Sequence, residues 1–121
     1  MMGLAGNAFW QEMASLIASR PIIIDRPRST PHPRYPELIY PLDYGYLEGT
    51  SAANGGGIDV WIGSQKERTL TGILCTYDTF KRDAEIKLLL GCTETDVKTI
   101  FNFNGESMRY LYVPKPQGGK L

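Results

Sequence analysis

The segment from Tyr40 to Gly63, YPLDYGYLEGTSAANGGGIDVWIG, sets the reading of this chain. Two aromatic stretches flank small residues and three successive glycines, Gly55, Gly56 and Gly57, after which an apolar run begins with one carboxylate, Asp59, at its mouth. Glycine has no Cβ to keep a ligand at a distance and tolerates positive φ, so such a loop can bring backbone N–H groups up to an anion. A plain glycine-rich hairpin connection fits the same residues. By itself the loop favours the plain connection.

Working outward, Ile58 to Gly63 reads as a strand, Ser64 to Arg68 as a polar turn and Thr69 to Thr76 as a second strand. Glu85 to Leu90 is a third. Asp78 and Asp83 bracket the tight connection before it, where aspartate commonly serves turn chemistry by bonding nearby backbone. Thr93 with Asp96 three residues on has the form of a capping box, which opens a helix with Val97, Ile100 and Phe101 inward and Asn104–Gly105 as its stop. Met108 to Val113 alternates large apolar residues and forms the last strand.

Upstream, Asn7 is a candidate N-cap for an amphipathic helix ending near Ser19, with Phe9, Trp10, Met13, Leu16 and Ile17 at helical spacing. Ile22, Ile23 and Ile24 form a short β-branched strand after Pro21. Between that strand and Tyr40 lies a stiff loop with four prolines, Pro27, Pro31, Pro33 and Pro36. Four of the chain's seven arginines (Arg20, Arg26, Arg28 and Arg34) and its one histidine, His32, fall in or just before this loop. Guanidinium groups on a stiff segment suit phosphate or carboxylate, which the planar fork meets two oxygens at a time. A solvated loop whose arginines stack on Tyr35 and Tyr40 is the alternative.

The chain of 121 residues is expected to form a single domain over residues 1–121, with 42% hydrophobic and 21% charged residues as in ordinary globular proteins. Thirteen basic residues balance thirteen acidic ones, which argues against a surface built to wrap nucleic acid. Cys75 and Cys92 are too few for a disulfide framework and read as reduced core residues of a cytoplasmic protein. No apolar run approaches the roughly 20 residues of a membrane span. Asn7, Gln11 and Glu12 interrupt the apolar N-terminus, so it does not read as a signal peptide. The element count is mainly β with two helices (α+β), and it points to a small, largely antiparallel barrel.

Taken together, Tyr40, Pro41, Asp43, Tyr44, Gly45, Tyr46, then Gly49, Thr50, then Asn54 to Val60 resemble the core segment of the soluble family I inorganic pyrophosphatases. Gly72 to Asp78, followed by Asp83 and Ala84, resembles that family's second element at the same spacing. The resemblance covers roughly Ile22 to Leu90. It implies a closed, OB-like antiparallel barrel with helices at its ends. It also implies that Asp59 is a metal ligand that orients the attacking water and that Asp78 and Asp83 are further ligands. Tyr40 and Tyr44 would line the phosphate pocket, with Tyr44 counted beside Asp59 as catalytic. Departures are equally specific. Asn54 stands where the signature has its first aspartate, Gly56 replaces the second, Gly57 replaces a proline, and Glu85 replaces the lysine after the aspartate pair.

Hydrolysis of a phosphoanhydride needs cations to neutralise phosphate oxygens. Mg²⁺ keeps several waters and can be held by one or two carboxylates. The expectation is therefore a Mg²⁺- or Mn²⁺-dependent hydrolase of pyrophosphate or a related phosphoanhydride. In it Asp59, Asp78, Asp83 and the neutral amide of Asn54 serve the metal, and Arg26, Arg28 and Arg34 clamp phosphate beside Tyr40 and Tyr44. A catalytically impaired barrel that binds a phosphorylated ligand or a protein partner is the alternative, motivated by the missing acids and lysines. Neither a nucleic acid nor a membrane is expected as partner. A homo-oligomer is compatible with the sequence.

Overall fold

The computed structural model describes residues 6–53, 55–103 and 106–116. Two helices and six strands follow in the order α1 (Asn7–Ser19), β1 (Ile22–Arg26), β2 (Asp43–Leu47), β3 (Ile58–Ile62), β4 (Leu70–Asp78), β5 (Asp83–Leu90), α2 (Glu94–Asn102) and β6 (Met108–Pro114). The strands form one sheet in the order β1-β2-β3-β5-β4-β6. All pairs are antiparallel except β3 with β5.

The mainly-β character with two helices is as expected, but the sheet does not close into a barrel. Strands β1 and β6 are edges at opposite ends of it. The physical reason lies in how the two faces are covered. One face carries Leu47, Val60, Ile62, Leu88 and Leu90, and α1 packs on it through Trp10, Met13, Leu16 and Ile17. On the other face Leu74, Trp61 and Leu89 pack with Tyr40 and Leu42 from the β1–β2 loop, Cys92 from the β5–α2 connection, and Val97 and Ile100 from α2. Both apolar faces are thus buried by separate cover, as in a layered α+β domain, without the sheet curling onto itself.

Alternation along the strands sorts the residues. In β5, Asp83, Glu85, Lys87 and Leu89 share one face, while Leu88 and Leu90 turn to α1. In β3, Asp59 shares the face of Trp61. Register carries Tyr44 opposite Trp61, Leu74 opposite Lys87, Thr76 opposite Glu85 and Asp78 opposite Asp83. One half of this face is therefore aromatic and aliphatic, and the other is charged.

Local chemistry fixes the ends. The capping box of α2 forms as the sequence suggests, with Thr93 Oγ1 accepting from Asp96 N and Asp96 Oδ2 accepting from Thr93 N. Helix α1 starts differently, because Gly6 with φ 57° takes the N-cap position and Asn7 is already helical. The expected Asn104–Gly105 stop lies outside the described residues. The glycine-rich segment closes the β2–β3 hairpin. Thr50 Oγ1 donates to Leu47 O and accepts from Ile58 N, while Ala52 N and Gly55 N are spent on bonds within the loop. Cys75 and Cys92 are free thiols. Among the described residues no helix is long and apolar enough to cross a membrane.

Candidate functional site

The charged half of the α2-side face, roofed by the proline-rich loop and Phe103, forms a cleft of about 380 Å³. Asp59 from β3, Asp78 from β4 and Asp83 from β5 all line it, with Arg26, Tyr40 and Tyr44. Side chains from positions as far apart as Arg26 and Asp83 meet here because the β3–β5 pairing brings two antiparallel hairpins side by side. Asp25, His32, Lys81, Glu85, Lys87 and Tyr110 complete the polar lining.

Lys87 is the centre of the arrangement. Its Nζ donates to Tyr44 Oη at 2.9 Å, to Asp59 Oδ2 at 3.0 Å and to Glu85 Oε1 at 3.2 Å. It also stands 5.4 Å from the centroid of the Tyr44 ring. Burial alone would pull the lysine down, but the Tyr44 hydroxyl and the Asp59 carboxylate outweigh it, so Lys87 is held above its ordinary value and charged. Burial likewise pushes the Tyr44 phenol up, and it remains neutral.

The aspartates differ in what they already do. Asp78 Oδ1 accepts from Phe80 N at 2.9 Å and Lys81 N at 3.1 Å, the turn chemistry that aspartate there suggests. These backbone bonds, Lys81's first, hold its carboxyl below the ordinary value. Asp83 stands directly across the hairpin from it. Asp59 is paired with Lys87. Among the described residues no group of three His, Cys, Asp or Glu side chains is close enough to hold a metal ion, whereas Mg²⁺ accepts a site of one or two carboxylates completed by water.

Of the three expected arginine clamps only Arg26 reaches the cleft, where its Nη1 donates to Tyr40 Oη at 3.3 Å. Arg28 and Arg34 are exposed and do not line it. The backbone N–H of Arg28 donates to Asp43 Oδ1 at 2.8 Å. Asn54 lies outside the described residues. The glycine loop does not line the cleft either, and its Ala52 and Gly55 N–H groups bond within the loop.

Lys87 escaped the sequence reading because nothing in a lysine two residues beyond Glu85 marks it, although strand alternation from Asp83 was a usable signal. His32, which the sequence shows only as the single histidine of the proline-rich loop, also belongs to the cleft. Its Nδ1 accepts from Arg34 N and Tyr35 N, its ring stacks on Tyr40, and it lines the cleft. Burial, then Arg26 and Arg34, lower its pKa, so the imidazole is neutral near pH 7. Compared with known proteins, the chain matches no family model, no curated protein and no solved structure.

Proposed function

We propose that the protein is a Mg²⁺-dependent hydrolase of inorganic pyrophosphate or a related phosphoanhydride, acting in the Lys87 cleft. The observation that carries this reading is the meeting of Asp59, Asp78 and Asp83, from three strands, in one cleft with Arg26 and Lys81. The motif resemblance to family I inorganic pyrophosphatases rests on the run from Tyr40 to Tyr46 together with the same three aspartates.

Charge balance supports metal dependence. Five carboxylates (Asp25, Asp59, Asp78, Asp83 and Glu85) face three cations (Arg26, Lys81 and Lys87), and His32 adds none when neutral. A bare diphosphate entering this excess of negative charge is repelled, whereas a diphosphate accompanied by a divalent cation is not. The residues fit such an ion. Asp78 and Asp83 oppose one another across the hairpin, where like charges destabilise the pair unless a cation lies between them. Asp78 and Asp83 would hold such an ion, and it would supply positive charge to the phosphate oxygens and lower the pKa of a bound water.

The chain's own groups do the rest. Arg26 and Lys81 bind the terminal phosphate oxygens. Tyr40 and Tyr44 wall the pocket and exclude bulk water, and Asp59, fixed by Lys87, orients the water that adds to phosphorus as the bridging P–O bond breaks. The test is phosphate release from pyrophosphate with Mg²⁺ or Mn²⁺ beside Asp59→Asn. Equal, near-background rates in the two proteins end the reading for that substrate.

The pairing of Asp59 with Lys87 favours a second reading, a non-catalytic cleft that binds a phosphorylated ligand. Its signature is a rise in melting temperature with pyrophosphate that needs no Mg²⁺ and is accompanied by no turnover.

A further inference from the structure

We propose that His32 is a ligand-binding residue: its imidazole, locked by its own loop in the tautomer that carries hydrogen on Nε2, donates that N–H to an anionic oxygen of the ligand beside Arg26. The phosphate nature of that oxygen rests on the hydrolase reading, whereas the locked donor stands without it.

His32 Nδ1 accepts from Arg34 N at 3.0 Å and from Tyr35 N at 3.2 Å. A ring nitrogen that accepts hydrogen bonds bears no hydrogen, so the one hydrogen of the neutral imidazole sits on Nε2. The two nitrogens point to different sides of the ring, and with Nδ1 turned to the loop backbone, Nε2 faces away from it. Among the described residues no acceptor meets Nε2, and His32 lines the cleft. The loop holds the ring in place. Pro31 and Pro33 flank it with fixed φ, His32 N donates to Leu38 O at 2.8 Å, and Tyr40 N donates to Thr30 O at 2.9 Å. The ring lies nearly parallel to that of buried Tyr40, with centroids 5.9 Å apart. A donor fixed in this way is preorganised for a ligand, a role that the exposed Arg28 and Arg34 do not give the proline-rich segment.

The other donors of the cleft differ in what they have left to offer. An ammonium group has three hydrogens, and those of Lys87 are received by a cage of Tyr44 Oη, Asp59 Oδ2 and Glu85 Oε1 at 2.9, 3.0 and 3.2 Å. Trp61 is only 2% exposed and lines the cleft, and its indole Nε1 has no hydrogen-bond partner. A buried donor without an acceptor is costly. The lining thus holds two N–H groups, one imidazole and one indole, whose bonds the described residues do not complete. Both rings pack beside Tyr40, whose hydroxyl accepts from Arg26 Nη1, so these donors gather around one side chain. Burial, Arg26, Arg34 and Lys81 disfavour a second proton on His32, against Glu37, so the ring meets an anion as a neutral donor at pH 7. The same three cations draw an anion to its side.

The experiment follows the imidazole nitrogens by heteronuclear NMR at about pH 7.5 in untagged protein, where His32 is the one histidine of the chain. The probes are methylenediphosphonate, whose P–C–P bridge resists hydrolysis, and inorganic phosphate, each with and without Mg²⁺. The expected free ring carries hydrogen on Nε2, and saturating methylenediphosphonate moves the Nε2 signal more than that of Nδ1. His32→Asn keeps an acceptor for the N–H groups two and three residues on, as in an Asx turn, and removes Nε2. It is expected to melt within about 3 °C of the wild type and to bind methylenediphosphonate about tenfold more weakly. Hydrogen on Nδ1, an Nε2 signal that no probe moves, or a folded His32→Asn that binds as the wild type does overturns the proposal. Should His32→Asn not fold, the wild-type spectra decide. Phosphate release from pyrophosphate separates this contact from the hydrolase reading. Turnover with an unmoved Nε2 signal removes His32 from the ligand and leaves the hydrolase, whereas a moved signal without turnover keeps His32 and removes the hydrolase.

Discussion

Replacing Lys87 by methionine keeps most of the side-chain volume and removes the charge, so its cost measures the cage. Breaking a buried ion pair from one side costs about 3–5 kcal/mol, because it strands the partner's charge. Here the Asp59 and Glu85 side chains keep 22% and 20% of their exposure, which lets water share the load. The expected loss is therefore lower, about 2–3 kcal/mol. For a chain of 121 residues this lowers the melting temperature by roughly 6–18 °C. Urea denaturation of Lys87→Met, Asp59→Asn and the double variant, followed by tryptophan fluorescence, gives the coupling of the pair. A coupling of about 1–3 kcal/mol is expected. The sign of the pH dependence follows from a folded-state lysine held above its ordinary value. Its contribution is complete below the unfolded value, about 10.4, and is lost only as pH rises through the higher folded one, so the coupling is constant from about pH 6 to 9. Additive single effects, within about 0.5 kcal/mol, would refute the cage.

Three other outcomes are expected. Asp96 accepts from Ser64 N, Ser64 Oγ and Thr93 N at 2.8–2.9 Å. Burial works to raise its carboxyl, but these bonds outweigh it and hold the group below its ordinary value. Asp96→Asn should cost about 1–3 kcal/mol at neutral pH, with a deficit that shrinks as pH falls from about 4 through the folded value, as read by melting curves of both proteins. A Cβ on Gly45 would lie 1.8 Å from Ile23 O, a backbone atom that cannot step aside. Gly45→Ala should destabilise by about 3 kcal/mol in urea, and unchanged stability would overturn the β1–β2 register. Arg26→Gln should raise the KM for Mg²⁺-pyrophosphate about tenfold, while Arg28→Gln and Arg34→Gln stay within about twofold. Equal effects in all three would show that the loop does not sit as described.

Elements with a strong local signature were legible in the sequence. Helix α1 has its 3.6-residue apolar stripe, α2 its capping box, and β3, β4 and β5 their β-branched and leucine-rich runs, so their positions were read to within a few residues. The open sheet was not legible, because closure depends on whether the edges β1 and β6 meet, and no local pattern encodes that. Within the cleft, the three aspartates and two tyrosines were singled out only through the resemblance of their motifs, since local reading alone makes Asp78 and Asp83 turn residues. Arg26 could not be told from Arg28 and Arg34 by composition, since what separates them is tertiary: Arg26 reaches Tyr40 in the cleft, whereas the other two are exposed. Lys87 was missed for the same kind of reason. Its partners lie 43 and 28 residues away as well as 2, so only the β2–β3–β5 register reveals them.

The cleft exists because helix α2 is short. Nine helical residues span about 13 Å, whereas the eight residues of β5 beneath span about 26 Å. Whatever its tilt, such a helix covers only about half of that strand, and hydrophobicity dictates which half. Val97 and Ile100 pack with Trp61, Leu74 and Leu89, leaving Asp83, Glu85 and Lys87 uncovered. After Asn102 the chain leaves the helix at Phe103, whose ring packs 4.6 Å from Tyr40 and whose carbonyl accepts from Tyr110 Oη at 2.9 Å. That turn seals the apolar half from the charged one. A further helical turn would lay α2 toward the Lys87 cage and narrow the opening. The end of α2 at Phe103 therefore sets the width of the cleft, as the charged residues beneath set its polarity.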